Sequence, residues 1–596
     1  MATLRAALVA SAAMVSAAMS SAAAAPPAPC LVVSDPAAGQ DVKLEAHGDN
    51  AIRVRAVPSG GTFRDDLVSA LLPLDGAAGQ AECARAALTS GQTVTSGNLQ
   101  ASVGADGLLR FTRLSDKKLL LAESAPRTLT PTVTTPPVPG FLALNMSFAA
   151  VAGERVYGLG QHKTGQLDNV GEMFHLQPQN TEILIPVYHS TIGYSFLMNL
   201  PSFGTVEIGK PARPSAPPPC PTAPQRCPEH EHAMYCPSDR DPHQCSATGE
   251  TRWSLDAVLQ ADFWVATTAA EDESSPWAQL QASYANATGH APVYPEWSSG
   301  FWQCKNRYHN QSQIMDVARG YISRGYPISL IIIDYFSWNS PAGDSHLGDE
   351  ILPKECWPNP RAMVEELKAM GVELMVSPYF HSLTEQSEYY AQAQREGFIV
   401  TDKTGKPAKV AFANAYLCTC TLRAFFPSSQ ASKKLPAHPD DLYNPAARRY
   451  AWNAVEKGYV DSYGLHHWWL DCDEPCGGDM TDLLYNNGTW PAAFVGAAYP
   501  AMVDQMVWEG MGAPGKEYAN DNVMLGRSAW AGSQRFGGAV WSGDTHSDFD
   551  NLNQQFRAGL NMVMSGIPYW TTDIGGYGGG NIDSANFRQL IVRWFQ

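Results

Sequence analysis

Two carboxylates that end apolar runs are the residues best suited to chemistry in this chain. Asp471 follows the run 466–470, His-His-Trp-Trp-Leu, and Asp544 follows the run 540–543, Val-Trp-Ser-Gly. A carboxylate at the end of a buried strand, beside aromatic rings, suits nucleophilic attack on a sugar. Retaining glycoside hydrolysis needs a second carboxyl group about 5 Å away as general acid and base. The two residues therefore predict a site that cleaves glycosides.

Such a site also needs groups that hold sugar hydroxyls and stabilise a cationic transition state. Further apolar runs end in polar side chains that can do this, namely Asp334, Arg527 and Asp573. Arg527 can keep a neighbouring carboxylate ionised, as a nucleophile requires. Asp544 follows Trp541 and a glycine, so we expect it to be partly desolvated, which favours the protonated state of a general acid.

Several neighbours of these residues have alternative interpretations. Asp473 lies two residues past Asp471 and is an alternative nucleophile, whereas Glu474 is expected to orient the loop. Cys472 and Cys476 are expected to form a local disulfide or to be buried thiols. The indoles of Trp302, Trp338, Trp541 and Trp570 are either sugar platforms or barrel packing, and Trp338, just past Asp334, is the best candidate platform. His466 and His467, which precede the two tryptophans, are expected to be a packed or hydrogen-bonded pair.

The region 291–596 has the pattern of a parallel α/β fold. Largely apolar strand segments at 299–302, 330–334, 374–377, 468–471, 523–527, 539–542 and 569–573 alternate with helical patterns such as 312–324 and 360–370. Seven such units, with polar residues at the strand ends, predict a (β/α)8 barrel that lacks its eighth strand in this chain. An open barrel has an unpaired strand edge, so we expect residues 1–596 alone to be unstable or inactive.

The region 26–290 predicts an antiparallel β-sandwich, because short alternating runs such as 51–57 are separated by turn residues. An insert at 210–250 is rich in proline and holds four cysteines and three histidines: Cys220, Cys227, Cys236, Cys245, His230, His232 and His243. Two disulfides are the favoured interpretation of this insert, and a zinc site is the alternative.

Residues 1–25 indicate a secretory signal peptide: one positive charge, a short Ala- and Val-rich core and small residues at the end. We therefore expect the protein to be secreted. Because disulfides persist in the oxidising environment outside the cell, the 12 cysteines are compatible with disulfides. Four sequons, at Asn145, Asn286, Asn310 and Asn487, indicate a glycoprotein if the source glycosylates. No later stretch is long enough for a membrane span.

The net charge of −17 and the pI near 5.3 argue against nucleic acid and anionic membranes as partners. No phosphate-binding loop, dinucleotide fingerprint or paired metal-ligand helix is present in the sequence, so we predict no cofactor and no metal. The expected partner is an oligosaccharide or glycoside, to which the 16 Trp and 23 Tyr are suited.

The chain resembles glycoside hydrolase family 31, and within it the α-xylosidase-like members. Six segments carry the resemblance, in the family's order: GLGQH at 158–162, PEWSSGFWQ at 295–303, IDYFSW at 333–338, WWLDCDEP at 468–475, WSGD at 541–544 and PYWTTDIGGY at 568–577. The resemblance implies that Asp471 is the nucleophile and Asp544 the general acid and base. It also implies that Asp334, Arg527 and Asp573 hold hydroxyls of the sugar.

Three functions follow from these expectations. The first is a secreted retaining α-glycosidase that acts on terminal α-linked sugars, with α-xylosides favoured, through a covalent glycosyl-enzyme. The second is an α-glucosidase or α-transglucosylase that uses the same residues. The third is an inactive sugar-binding paralogue or fragment. The resemblance implies an eighth strand and C-terminal β domains, which we expect to be missing from residues 1–596.

Overall fold

The computed structural model describes residues 30–35, 38–74, 83–88, 92–135, 137–211, 249–269, 274–334, 346–379, 382–414, 434–474 and 480–596. Four predicted features lie outside the described residues: the signal peptide 1–25, nearly all of the insert 210–250, Trp338 and Cys476.

The amino-terminal region contains two eight-stranded sheets. Its strands are β1 Cys30–Asp35, β2 Gln40–Ala46, β3 Ala51–Pro58, β4 Ala84–Ala87, β5 Gln92–Ser96, β6 Leu99–Val103, β7 Leu109–Arg113, β8 Lys118–Pro131, β9 Leu142–Ala149, β10 Val156–Gly158, β11 Met173–His175, β12 Val187–Ser190, β13 Tyr194–Met198, β14 Gly204–Pro211, β15 Gly249–Val258 and β16 Ala261–Thr267. The sheet orders are β10-β12-β13-β16-β3-β2-β1-β4 and β11-β14-β15-β9-β8-β7-β6-β5.

The two sheets pack face to face, as the alternating sequence pattern predicts. In β6, buried and half-buried residues alternate strictly, so one face of the strand enters the core. Side chains from both sheets, including Phe111, Phe148, Phe196 and Phe263, share one hydrophobic cluster. The described pairings are antiparallel except for β1 with β4, which are parallel and are joined by the Cys30–Cys83 disulfide.

The second region alternates strands and helices. Its strands are β17 Trp302–Gln303, β18 Leu330–Ile333, β19 Glu373–Val376, β20 Ser382–Thr384, β21 Thr401–Asp402, β22 Val410–Asn414, β23 Lys434–Pro439, β24 His467–Leu470, β25 Leu483–Tyr485, β26 Trp490–Pro491, β27 Val523–Gly526, β28 Gly538–Trp541 and β29 Trp570–Thr571. Its helices are α1 Pro276–Thr288, α2 Gln311–Ser323, α3 Pro360–Ala369, α4 Tyr390–Glu396, α5 Pro445–Val455, α6 Ala492–Val495, α7 Tyr499–Val507, α8 Phe549–Met564 and α9 Ala585–Phe595. None of these described helices is both long and apolar enough to cross a membrane.

Seven of these strands form one parallel sheet in the order β17-β18-β19-β24-β27-β28-β29. The four residues of β18 are all buried, as expected where both faces of a parallel sheet are covered. The predicted apolar runs contain these strands or overlap them, and helices alternate with them as predicted. The number of strands that close the barrel stays a prediction.

Two three-stranded sheets, β20-β23-β22 and β21-β25-β26, lie in connections of the parallel sheet and were not predicted. Their strands are two to six residues long in the sequence. Runs this short hold too few alternations to be recognised from a period of two.

Hydrogen bonds join the β-sandwich to the parallel α/β region. The backbone N–H of Gly158 donates to Asn561 Oδ1 (3.0 Å) and that of Gly160 to Ser565 Oγ (2.7 Å), both on or beside α8. Gly160 has a φ of 87°, and a Cβ there would lie 2.0 Å from the carbonyl oxygen of Ile183. Only glycine fits at position 160, in this contact between the two regions, without moving the backbone.

Candidate active site

Five predicted polar residues lie at the carboxyl edge of the parallel sheet. Asp334, Asp471 and Arg527 directly follow β18, β24 and β27. Asp544 lies three residues past the end of β28, and Asp573 lies two residues past the end of β29. Because the strands are parallel, all five residues emerge at the same edge.

Asp471 is held by three donors. Its Oδ1 accepts from Arg527 Nη1 (2.9 Å) and from the backbone N–H of Cys472 (2.8 Å), and its Oδ2 accepts from the Tyr379 hydroxyl. Cys472 has a φ of 60° and Tyr379 a φ of 54°, a region that such side chains rarely adopt. Strained backbone on two sides of one carboxylate is typical of a functional site.

Arg527 is buried and bridges two carboxylates. Besides its contact with Asp471, its Nε and Nη2 donate to the two oxygens of Glu474 at 3.1 and 2.5 Å. A bidentate pair of this kind fixes the plane of the guanidinium. Glu474 therefore orients Arg527, and through it Asp471, which agrees with the interpretation that Glu474 orients the loop.

Asp473 is fully buried. Burial raises the pKa of its carboxyl well above the usual range, and the charges of Glu474 and Asp504 add to the shift. Burial disfavours the ionised carboxylate that a nucleophile needs. The structure therefore favours Asp471 over Asp473.

Asp544 is exposed, so the expectation of a partly desolvated general acid is wrong for the protein without substrate. Its carboxylate and backbone are instead fixed by Asn180 of the β-sandwich region. Asn180 Nδ2 donates to Asp544 Oδ2 (2.6 Å), and the Asp544 N–H donates to Asn180 Oδ1 (3.0 Å). Gly543 precedes it with a φ of 73°, and a Cβ there would lie 2.4 Å from the Asn180 Oδ1.

Asp573 is electrostatically coupled to both predicted catalytic acids. Burial raises the pKa of Asp573 to about 7, and the charges of Asp544 and Asp471 add to that shift. Asp334 is also buried at this edge. The four carboxyl groups therefore form one cluster of like charge, which Arg527 offsets only in part.

The thiol of Cys304, one residue past β17, also belongs to this cluster. Burial raises its pKa well above the usual range, and the charges of Asp334, Asp573 and Asp471 add to the shift. Cys304 is a free, half-buried cysteine. A neutral thiol among carboxylates adds a small apolar surface to the site.

The structure assigns Trp541 to packing. Its ring is 3% exposed and meets Trp469 edge-on at a centroid distance of 5.1 Å. Little of the ring is left to contact a sugar, so the sugar-platform role predicted for Trp541 is corrected to barrel packing. Trp338, the best candidate platform, lies outside the described residues.

Sequence reasoning missed Asn180, Tyr379 and Cys304. Cys304 follows the apolar run at 299–302, so the rule that found the carboxylates would also have found it. Tyr379 lies three residues past β19, where the same rule applies more loosely. Asn180 carries no local pattern, because its partner is 364 residues away in the sequence.

Comparison with known proteins identifies a family that the chain matches. Residues 291–596 match the family model described as the glycosyl hydrolases family 31 TIM-barrel domain. The chain is 33% identical over 579 residues to the uncharacterized family 31 glucosidase ORF2 of Pseudescherichia vulneris, covering 94% of this chain and 93% of that protein. It is 29% identical over 520 residues to alpha-xylosidase A of Aspergillus niger, covering 82% of this chain and 61% of that protein.

Among solved structures, the crystal structure of a GH31 alpha-xylosidase from a soil metagenome, complexed with xylose, superposes with a TM-score of 0.75. The two sequences are 31% identical, and the match covers 96% of this chain and 75% of that one.

Proposed function

The chain belongs to glycosyl hydrolase family 31, and we propose that it is a retaining α-glycosidase that releases terminal α-linked xylose. The observation that carries the proposal is the setting of Asp471. Its carboxylate is oriented by Arg527, the Cys472 N–H and Tyr379. Two further acids, Asp544 and Asp573, lie at the same sheet edge, and the charge of Asp471 adds to the rise in the pKa of Asp573.

In the proposed reaction, an Asp471 oxygen attacks the anomeric carbon while the bond to the leaving-group oxygen breaks. Asp544 gives its proton to that oxygen, and a covalent glycosyl-enzyme forms. Asp544, now a carboxylate, takes a proton from water, whose oxygen attacks the anomeric carbon and releases Asp471. Each displacement inverts the anomeric centre, so the product keeps the substrate's configuration.

The remaining residues have proposed roles in binding. Asp334 and Asp573 accept hydrogen bonds from hydroxyls of the sugar at the cleavage point, and Arg527 fixes the orientation of Asp471. A sugar seated between Asp471 and Asp544 would also cover the exposed face of Asp544.

Three measurements test this proposal. Proton NMR of the first product released from an aryl α-xyloside should show the α anomer, and a β product would contradict the retaining mechanism. Asp471→Ala should abolish turnover while the matched exposed variant Asp583→Asn keeps it. A fluorinated xylosyl fluoride should add one glycosyl mass to the wild type and none to Asp471→Ala.

A second candidate is α-glucosidase or α-transglucosylase action. It is favoured by the name of the family 31 glucosidase relative, of which this chain covers 93%. Xylose lacks the hydroxymethyl arm of glucose, so the two functions differ in the space beside that carbon. A higher kcat/KM for aryl α-glucoside than for aryl α-xyloside would favour this candidate. Binding without turnover of either substrate would favour an inactive sugar-binding paralogue.

We also propose that the protein is secreted. The composition of residues 1–25 supports this, and so does the Cys30–Cys83 disulfide, since disulfides persist in oxidising compartments. Expression in a secreting host, followed by amino-terminal sequencing, tests it. Recovery of the chain inside the cell with Met1 in place would contradict it.

A further inference from the structure

Two histidines and a glutamate meet at the amino edge of the parallel sheet, opposite the candidate active site. Glu373 begins β19, His467 begins β24, and His466 precedes His467. One ligand atom from each residue lies within 4.8 Å of the others, the only such group among the described residues. The two imidazole rings are 4.2 Å apart, in agreement with the prediction of a packed pair.

The hydrogen bonds of His466 leave one of its nitrogens facing an acceptor. Its Nδ1 lies 2.9 Å from the carbonyl oxygen of Gly464, which can only accept, so Nδ1 carries a proton. Its Nε2 lies 3.3 Å from Asp521 Oδ2. In the neutral tautomer, a lone pair therefore faces a carboxylate, and a cation between them removes the repulsion. A ring N–H bonded to a backbone carbonyl is also how metal-ligating histidines are commonly oriented.

His467 has an unused lone pair in a buried position. It is 1% exposed, and neither ring nitrogen has a hydrogen-bond partner within the described part of the chain. Its Nε2 lies 3.5 Å from Glu373 Oε2, which is too long for a good hydrogen bond. The ring is held edge-on against Trp297 at 4.9 Å, so it is kept at this position. A buried polar atom without a partner destabilises the fold, and a bonded ion would remove that cost.

We propose that Glu373, His466 and His467 bind a Zn²⁺ ion, with Asp521 or water as the fourth ligand. Two imidazoles and carboxylates are a typical zinc donor set, whereas Ca²⁺ and Mg²⁺ prefer oxygen ligands alone. Two carboxylates balance the charge of the ion between neutral imidazoles. The side chains of Glu373 and Asp521 are 18% and 42% exposed, which gives the ion a path from solvent.

With Asp521 as the fourth ligand, the ion would join three neighbouring strands of the sheet. Glu373 and His467 start β19 and β24, and Asp521 lies two residues before β27. These strands are adjacent in the sheet order. The amino edge of such sheets contributes to stability rather than to catalysis, so the proposed site is structural.

The test is zinc content and zinc affinity of the full chain after removal of metal with EDTA and titration with ZnSO4. Two variants remove a ligand: Glu373→Gln, whose side chain is partly exposed, and His467→Gln, which is buried. The matched control is Glu365→Gln. Glu365 is an exposed residue of α3, the helix that precedes β19. A variant with His230, His232 and His243 replaced by Asn tests for zinc bound by the 210–250 insert.

We expect Glu373→Gln and His467→Gln each to lose one equivalent of zinc or to bind it at least about 10-fold more weakly. The Glu365→Gln control and the insert variant should keep that equivalent. Zinc should also raise the Tm of the wild type and leave the Tm of Glu373→Gln unchanged. If Glu373→Gln binds zinc as the wild type does, if only the insert variant loses it, or if the wild type binds none, the proposal is wrong.

Discussion

Replacing Asp573 by Asn should stabilise the fold at alkaline pH and not at acidic pH. Burial raises the pKa of this carboxyl from 3.8 to about 7, and the charges of Asp544 and Asp471 add to the shift. Below pH 3.8 the carboxyl is protonated in the folded and unfolded states alike and has no net effect. Between pH 3.8 and about 7 the folded state holds the extra proton, so stability falls as pH rises.

The magnitude follows from the size of the shift. A rise of about 3 pKa units corresponds to on the order of 4 kcal/mol of destabilisation once the pH exceeds the folded pKa. Asp544 beside it is exposed, so solvent screens part of this repulsion and about 2–4 kcal/mol is expected. Asparagine has nearly the same shape and carries no charge, so Asp573→Asn removes the penalty.

Thermal unfolding followed by tryptophan fluorescence measures this effect at about pH 5 and about pH 8. At the higher pH, Asp573→Asn should melt above the wild type by about 2 °C for each kcal/mol. At the lower pH the difference should be smaller. Asp583→Asn, an exposed acid ten residues along the chain, is the control and should show no such dependence. An equal Tm difference at both pH values, or a variant that is less stable at both, would refute the reasoning.

Three further changes have expected outcomes. Asn180→Ala removes both hydrogen bonds to Asp544 and should lower kcat/KM on an aryl α-xyloside by about 10- to 100-fold. An unchanged kcat/KM would show that Asp544 does not depend on Asn180. Tyr379→Phe removes a donor to Asp471 and should lower kcat by about 10- to 100-fold with little change in Tm, so a loss confined to KM would contradict its role. Cys30→Ser opens a disulfide that spans 53 residues and should cost about 2–4 kcal/mol, and a Tm equal to that of the wild type would contradict this.

The strands of the parallel sheet could be predicted because each is a continuous apolar run with a polar residue behind it. That pattern placed Asp334, Asp471 and Arg527 directly after β18, β24 and β27. It could not tell how exposed each side chain would be, since exposure depends on what packs above the strand end. For this reason Asp544 was expected to be desolvated and is exposed, while Trp541 was a candidate platform and is buried.

The support of the acids was less predictable than the acids themselves. Arg527 holds Asp471 across neighbouring strands, so adjacency in the sheet was enough to suggest the contact. The contact of Asn180 with Asp544 joins a β-sandwich loop to a strand end, and no local pattern relates such distant positions. His466 and His467 were predicted as a packed pair, but the nearness of Glu373 depends on the register between β19 and β24.

The Asn180–Asp544 contact ties the proposed general acid to the amino-terminal region. Contacts between residues 364 positions apart form late in folding, because a long loop must close first. When the parallel sheet forms, Asp471, Arg527 and Asp573 can therefore come together before Asn180 fixes the position of Asp544. If Asp544 is the general acid, as proposed, turnover begins only when the sandwich has docked, and enzymatic activity during refolding reports on domain assembly rather than on formation of the sheet.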